Sequence, residues 1–247
     1  MMHPMRPVSS AMDRVSRGWR LFARSAMLAL GAWAVGAAGG RLPAALAAAT
    51  EPSTAAATQP APVPYVSSAN SGKAAVAGTS TLHDWTAESA TINGTAIFAG
   101  EFDPAVPPAI RSIKVVIPVN SLKSSEGGGM DSTMDDALQM KKHPNITYSL
   151  DSATLTSGPT KDDPQCHYAA TGQLTIAGWA KTVNLELAVH RETDGTLSIS
   201  TQTSLKMTDF GIKPPTAMLG MVKSGDSVTV NVTWQLTMKP STAKTEQ

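Results

Sequence analysis

Between Val228 and Met238 the chain alternates without interruption. Val228, Val230, Val232, Trp234, Leu236 and Met238 fall on one side of an extended backbone, and Thr229, Asn231, Thr233, Gln235 and Thr237 on the other. Successive side chains of a strand point to opposite faces, so this stretch is a strand with one dry face and one wet face. Its length and strict alternation fit a curved antiparallel sheet whose inner face is covered and whose outer face meets water. What the dry face covers, a packed core or a greasy ligand, is the functional question.

The same period recurs upstream. Ile113, Val115, Ile117 and Val119 alternate with Lys114, Val116, Pro118 and Asn120, and Ile146, Tyr148 and Leu150 with Thr147 and Ser149. Leu174 and Ile176 follow Gly172. Val183, Leu185, Leu187 and Val189 form another row, and Leu197 and Ile199 lead a further run that ends near Leu205. Turn signals separate these runs at Gly158-Pro159, Gly178, Asp194-Gly195 and Gly225-Asp226, with Asp194-Gly195 the strongest hairpin signal. With the segments around Ala74–Trp85 and Ala87–Phe98 this makes about eight strands, the number and length expected of a barrel or a sandwich.

Two segments break the pattern. Residues 132–140 carry Met134, Leu138 and Met140 at a roughly helical spacing, with Ser132 and Asp135 resembling a capping box, and Pro144 prevents continuation. Residues 209–221 contain Gly211, Pro214, Pro215 and Gly220, which exclude a regular strand. Met218, Leu219 and Met221 give this loop an apolar edge, so it is expected to lie across an opening or a packed groove.

The first quarter of the 247 residues does not read as part of this fold. Arg14, Arg17, Arg20 and Arg24 precede an apolar run from Ser25 to Gly40, and Ala45-Leu46-Ala47 offers a small-residue cleavage site, the order of a secretory signal peptide. The expected organisation is a signal peptide at 1–47, a disordered Ala/Thr/Pro linker at 48–64, a barrel domain at 65–240 and a disordered tail at 241–247. The product is then periplasmic or secreted. An uncleaved anchor is the lesser alternative, because the apolar run is shorter than the ~20 residues that a spanning helix needs. Removing residues 1–47 takes six basic and one acidic residue from totals of 20 and 19, leaving 14 against 18 and a net charge near −4. A mildly acidic surface argues against nucleic acid and against electrostatic attachment to anionic lipid. The lone cysteine, Cys166, cannot form an internal disulfide.

Chemistry-bearing clusters are few. His83 and Asp84 are adjacent on an extended segment and face opposite sides, so they form no His–Asp relay. Asp84 is expected to make a turn or cross-strand hydrogen bond, with Trp85 packed. His83, His143, His167 and His190 lie in separate segments without metal-ligand spacing, and no metal site is expected. Cys166, next to His167 after Asp162-Asp163-Pro164, is read as an incidental residue of a polar loop. Asp209-Phe210-Gly211 matches a kinase letter pattern with none of its companions. No paired base and nucleophile is present, so the chain does not read as an enzyme.

A longer ordered set does carry a resemblance. It runs through Gly78-Thr79-Ser80-Thr81-Leu82-His83-Asp84-Trp85, then Met130, Met134 and Leu138, then Lys142-His143-Pro144-Asn145-Ile146-Thr147-Tyr148. It continues with Gly172-Gln173-Leu174-Thr175-Ile176-Ala177-Gly178 and Val183, and ends with Thr208-Asp209-Phe210-Gly211-Ile212-Lys213-Pro214-Pro215. In order and spacing these resemble the YceI-like family of exported bacterial proteins, over nearly all of residues 74–238. The resemblance implies an all-β fold, a single eight-stranded antiparallel lipocalin-like barrel with one short helix and an irregular loop near the mouth. It implies an elongated apolar interior that holds an isoprenoid or similar lipid tail, and it is compatible with a homodimer. It departs from the better-known branch, which opens on an aspartate-proline-alanine-histidine stretch where this chain has Ser80–Trp85.

The reading is therefore an exported, non-enzymatic lipid-binding protein. It would have an apolar small-molecule partner, no nucleic acid, no integral span in the mature form and no cofactor beyond a bound isoprenoid or other lipid. Trp85, Phe210, Met218, Met221 and Trp234 are the expected lining. The competing reading is a non-catalytic structural or stress-related interaction module whose barrel is filled by its own side chains.

Overall fold

The computed structural model describes residues 60–239, without the side chains of Ser68, Ala69, Ser71, Ala217 and Met218. The expected signal peptide, most of the linker and the C-terminal tail lie outside the described residues. The strands are β1 (Val63–Ser80), β2 (Trp85–Ser89), β3 (Asn93–Phe98), β4 (Ile110–Pro118), β5 (Lys123–Ser124) and β6 (Asn145–Ser157). They continue with β7 (Cys166–Ile176), β8 (Trp179–Arg191), β9 (Leu197–Lys206), β10 (Thr216–Ala217) and β11 (Val222–Met238). One helix, α1, spans Gly128–Ala137.

Pairing runs β11-β9-β8-β7-β6-β4-β3-β1, and β1 pairs back onto β11, so eight antiparallel strands close into a barrel with no free edge. β1 meets β3 through Val63–Val66 and β2 through Ala74–Gly78, so β2 and β3 together occupy one barrel position. Between them β1 is irregular from Ser67 to Gly72. There the Ser67 hydroxyl accepts the Gly94 amide at 2.8 Å, satisfying a donor that the interrupted ladder leaves.

The opening alternation lies in β11, which extends upstream to Val222. Val228, Val230, Val232 and Trp234 line the interior, Leu236 is buried, and Met238 reaches the rim, where it pairs with Tyr65. The tightest hairpin is not Asp194-Gly195 but Ala177-Gly178. Ile176 pairs directly with Trp179, and φ values of 49° and 82° give the two-residue turn that matches strand twist. At Asp194-Gly195 the loop is longer: Glu192 donates to the Thr196 carbonyl, and the Asp194 carboxylate accepts the Thr196 amide.

Three local expectations are corrected. The helix begins at Gly128 rather than Ser132, so Ser132 is an interior residue whose hydroxyl donates back to the Gly128 carbonyl, and there is no capping box. The turn before β2 is closed by Ser80, not Asp84: the Ser80 hydroxyl accepts the Leu82 and His83 amides and donates to the His83 carbonyl. Cys166 is not in a polar loop. It opens β7 pointing inward and is fully buried, which pushes its thiol pKa up and keeps it protonated.

The barrel holds two cores. At one end Tyr65, Phe98, Phe102, Ile110, Tyr168, Leu197 and Leu236 pack solidly, with Tyr65–Phe98 and Phe98–Phe102 each edge-to-face at 5.5 Å. The loop after β3 seals this end: the Tyr65 hydroxyl accepts the Phe102 amide at 3.0 Å, and Tyr168 donates to the Pro108 carbonyl at 2.9 Å. Arg191 ties the same loop down through the Phe102 carbonyl and the Glu101 carboxylate. At the other end a second cluster gathers Trp85, Ala177, Met207, Phe210 and Ile212, with Met130 and Ala137 of α1 and the following Leu138 against it.

Candidate functional site

Between the two cores the barrel is hollow. The cavity measures ≈ 240 Å³, and its wall is apolar almost throughout. Val76, Val115, Ile117, Leu174, Leu185 and Val230 form the sides, each at an inward position of its strand. Met130, Met134, Ala137 and Leu138 form the roof, and their three-to-four spacing puts them on one helical face. The wall runs out to Lys206, Pro215 and Ser224, where solvent reaches it.

Trp234 is the floor. Its indole is 2 % exposed and crosses from β11 to β3, where Gly94 leaves room for it; a Cβ there would lie 2.9 Å from Trp234 Cζ2. Trp85 lies against Gly78, its direct partner on β1, and donates from Nε1 to the Thr79 carbonyl at 3.2 Å. Phe210 ends the 3-10 turn Met207–Phe210 and points into the apolar cluster, and Gly211 at φ 65° lets the chain leave in the left-handed region. The turn is held from outside: the Asp226 carboxylate accepts the Thr208 amide at 2.9 Å and the Thr208 hydroxyl at 2.7 Å, which keeps its pKa below the usual carboxylate range. The roof is pinned likewise, by Asp131 accepting the Ser124 amide at 2.7 Å.

The structure thus brings Trp85, Phe210 and Trp234 to one cavity wall. Met221 is placed elsewhere, 74 % exposed beside the turn before β2, where its carbonyl accepts the Thr81 hydroxyl. The side chain of Met218 lies outside the described set. Sequence reasoning missed Thr201, Thr203, Tyr148, Met130 and Leu138 as lining. Thr201 and Thr203 continue the inward row Leu197, Ile199, Leu205, so the alternation already held two polar residues on a dry face. Tyr148 is half-buried over Gly172, and burial pushes its pKa up to about 12, with the Asp151 charge adding to the shift.

Among the described residues no three His, Cys, Asp or Glu side chains converge on a point that could hold a metal ion. No helix among them is long and apolar enough to cross a membrane.

A closed antiparallel barrel of eight strands, with one end packed solid and an apolar cavity above, defines the lipocalin-like class. Within that class the chain belongs to the YceI-like family, whose domain model matches residues 67–236. A comparison with curated proteins returns no match. Among solved structures it is similar to BcnA of Burkholderia cenocepacia, at 20 % identity and a TM-score of 0.52, over 67 % of this chain and 96 % of that one. It is also similar to a polyisoprenoid binding domain from Saccharophagus degradans implicated in plant cell wall breakdown. That match has 12 % identity and a TM-score of 0.50, over 71 % of this chain and 98 % of the other. At these identities the two structures speak to the fold.

Proposed function

We propose that this protein is an exported, non-catalytic carrier that holds one long apolar, isoprenoid-like molecule in the barrel cavity. The observation that carries the reading is the division of the barrel: a chain that could fill its interior, as it does around Phe98, Phe102 and Tyr168, leaves the half above Trp234 open and lines it with hydrocarbon. Each methylene moved from water into such a wall contributes roughly 0.8 kcal/mol, so a polyprenyl tail supplies its own binding energy. Family membership and the polyisoprenoid-binding neighbour support the same ligand class. The basic–apolar–small order of residues 1–47 supports export.

Trp85, Phe210 and Trp234 then touch the ligand, with the α1 methionines adapting to its shape. Phe210→Asp is expected to abolish uptake of a fluorescent isoprenoid while the far-UV circular dichroism stays native. Met221→Asp, on the exposed loop, should leave uptake unchanged. Equal loss in both variants, or in neither, contradicts this placement of the ligand.

A further inference from the structure

The rim of the open end carries large apolar side chains that the fold does not bury. Leu82, Trp179 and Met221 are each more than half exposed, and Leu219 is fully so. Chain contacts set them along one arc of the mouth. The hairpin of β10 and β11 leaves the cavity wall at Pro215 and returns to it at Ser224, whose amide donates to the Pro215 carbonyl at 3.0 Å. Leu219 stands in the turn between the two strands, with Met221 at the start of the returning side. The turn that bears Leu82 is fastened to this hairpin. The Thr81 hydroxyl donates to the Met221 carbonyl at 3.1 Å, and the Thr81 amide to the Lys223 carbonyl at 3.0 Å. On the other flank the Trp179 indole lies over Gly211, in the segment that leads to Pro215.

Leu219 is the most informative of the four. Its backbone sits at φ 57° and ψ 31°, the left-handed region that glycine or asparagine takes at lower cost than leucine. Its side chain is bare. Neither local conformation nor packing favours a leucine there, so its hydrocarbon is available to something outside the chain.

The geometry points to a lipid bilayer as that occupant: the hairpin arc enters the headgroup layer and brings the cavity mouth to the surface that holds an apolar cargo. This rests on the carrier reading for its purpose and adds the partner. Charge runs the same way. Residues 81–84, 177–181 and 206–223 carry four lysines against Asp84 and Asp209, whereas the loops of the packed end, 99–109, 158–165 and 192–196, carry six carboxylates and one lysine. Lys213 and Lys223, on either side of the hairpin tip, are exposed. Lysines beside apolar tips suit anionic headgroups, with their stems lying along hydrocarbon, and a half-exposed tryptophan suits the same depth. The net acidic charge of the whole protein opposes flat electrostatic adhesion. Insertion of the apolar tips therefore supplies the binding, and the lysines orient it. Helix α1, with Asp131, Asp135 and Asp136 and no basic residue, is the acidic part of the mouth and stays off the surface. Both ends of the described chain lie at the packed end, Val63 beside Phe98 and Met238 beside Tyr65, so neither crosses the arc.

The test sediments the mature protein with vesicles of mixed phosphatidylethanolamine and phosphatidylglycerol. Wild type is expected to partition onto them, and Leu219→Asn combined with Met221→Ser to partition about tenfold more weakly. The double variant should keep the wild-type thermal midpoint, because asparagine tolerates the left-handed region, and should take up a fluorescent isoprenoid from solution as wild type does. Its uptake of the same probe from the vesicles should be slower. Leu219→Met, which keeps an apolar tip, should partition like wild type. If wild type stays in the supernatant, or the double variant partitions equally, the docking surface is overturned, and uptake from solution leaves the carrier reading standing. If light scattering shows a wild-type dimer that the double variant loses, the arc joins two copies of the chain and the proposal is wrong. If wild type binds vesicles through the arc and takes up no isoprenoid, the docking surface stands and the carrier reading fails.

Discussion

A Cβ added at Gly94 would collide with the Lys114 carbonyl oxygen and come within 2.9 Å of Trp234 Cζ2, so this one position ties a strand to the indole that floors the cavity. Gly94→Ala is expected to destabilise the domain by about 1–3 kcal/mol, the usual range for overpacking, read as a lowered urea midpoint at unchanged slope. A midpoint within error of wild type would mean that the indole does not rest where it is placed. From the sequence, the inward parity of Trp234 was legible. Gly94 was not, because a glycine within a strand run shows nothing of the ring that lies over it from a strand far along the chain. Thr201 and Thr203 were legible in parity and overlooked in meaning. Asp226 carries a pH signature of its own. Its folded-state pKa is depressed, above all by the hydrogen bond from the Thr208 hydroxyl, so its contribution is present above the ordinary carboxylate range and is lost as pH falls through the folded value. Wild type should be more stable than Asp226→Asn at pH 7, and the difference should shrink below about pH 4. A difference that is constant with pH would contradict the clamp.

At the scale of elements, the strands were far easier to read than the helix. Period-two alternation is set by backbone geometry and survives in any half-buried sheet, which is why β8, β9 and β11 stand out along the chain. The spacing predicts the helix four residues late, because its first turn is Gly128-Gly129, residues that signal loop, and its start rests on Gly127 at φ 86° with no side-chain cap. No residue of α1 is fully buried, so it is the cheapest piece of the cavity wall to open, held chiefly by its apolar face and by Asp131 on the Ser124 amide. Asp131→Ala should raise the rate of ligand exchange by about fivefold, measured by stopped-flow displacement, without moving the thermal midpoint of the strands. Unchanged exchange would place the way in elsewhere, between β10 and the turn Met207–Phe210.

For the molecule as a whole, the number and even spacing of amphipathic strands fit a barrel or a sandwich, the family resemblance implies the closed barrel, and β1 pairing back onto β11 completes it. The two readings of the interior, filled or hollow, could not be separated in the sequence, because both produce the same dry face. The structure shows each in its own half: aromatic packing below Trp234 and open apolar space above it. That division depends on which side chains meet across the barrel, long-range contacts such as Phe98 with Phe102 and Tyr65, which periodicity along one strand does not encode. The most direct measurement of the central claim is to purify the mature protein from the host that exports it, denature it, extract it with organic solvent and analyse the extract by mass spectrometry. The account predicts about one apolar, isoprenoid-like molecule per protein chain, recovered reproducibly. Extracts empty of lipid across several preparations, with no uptake of an added fluorescent isoprenoid, would contradict it.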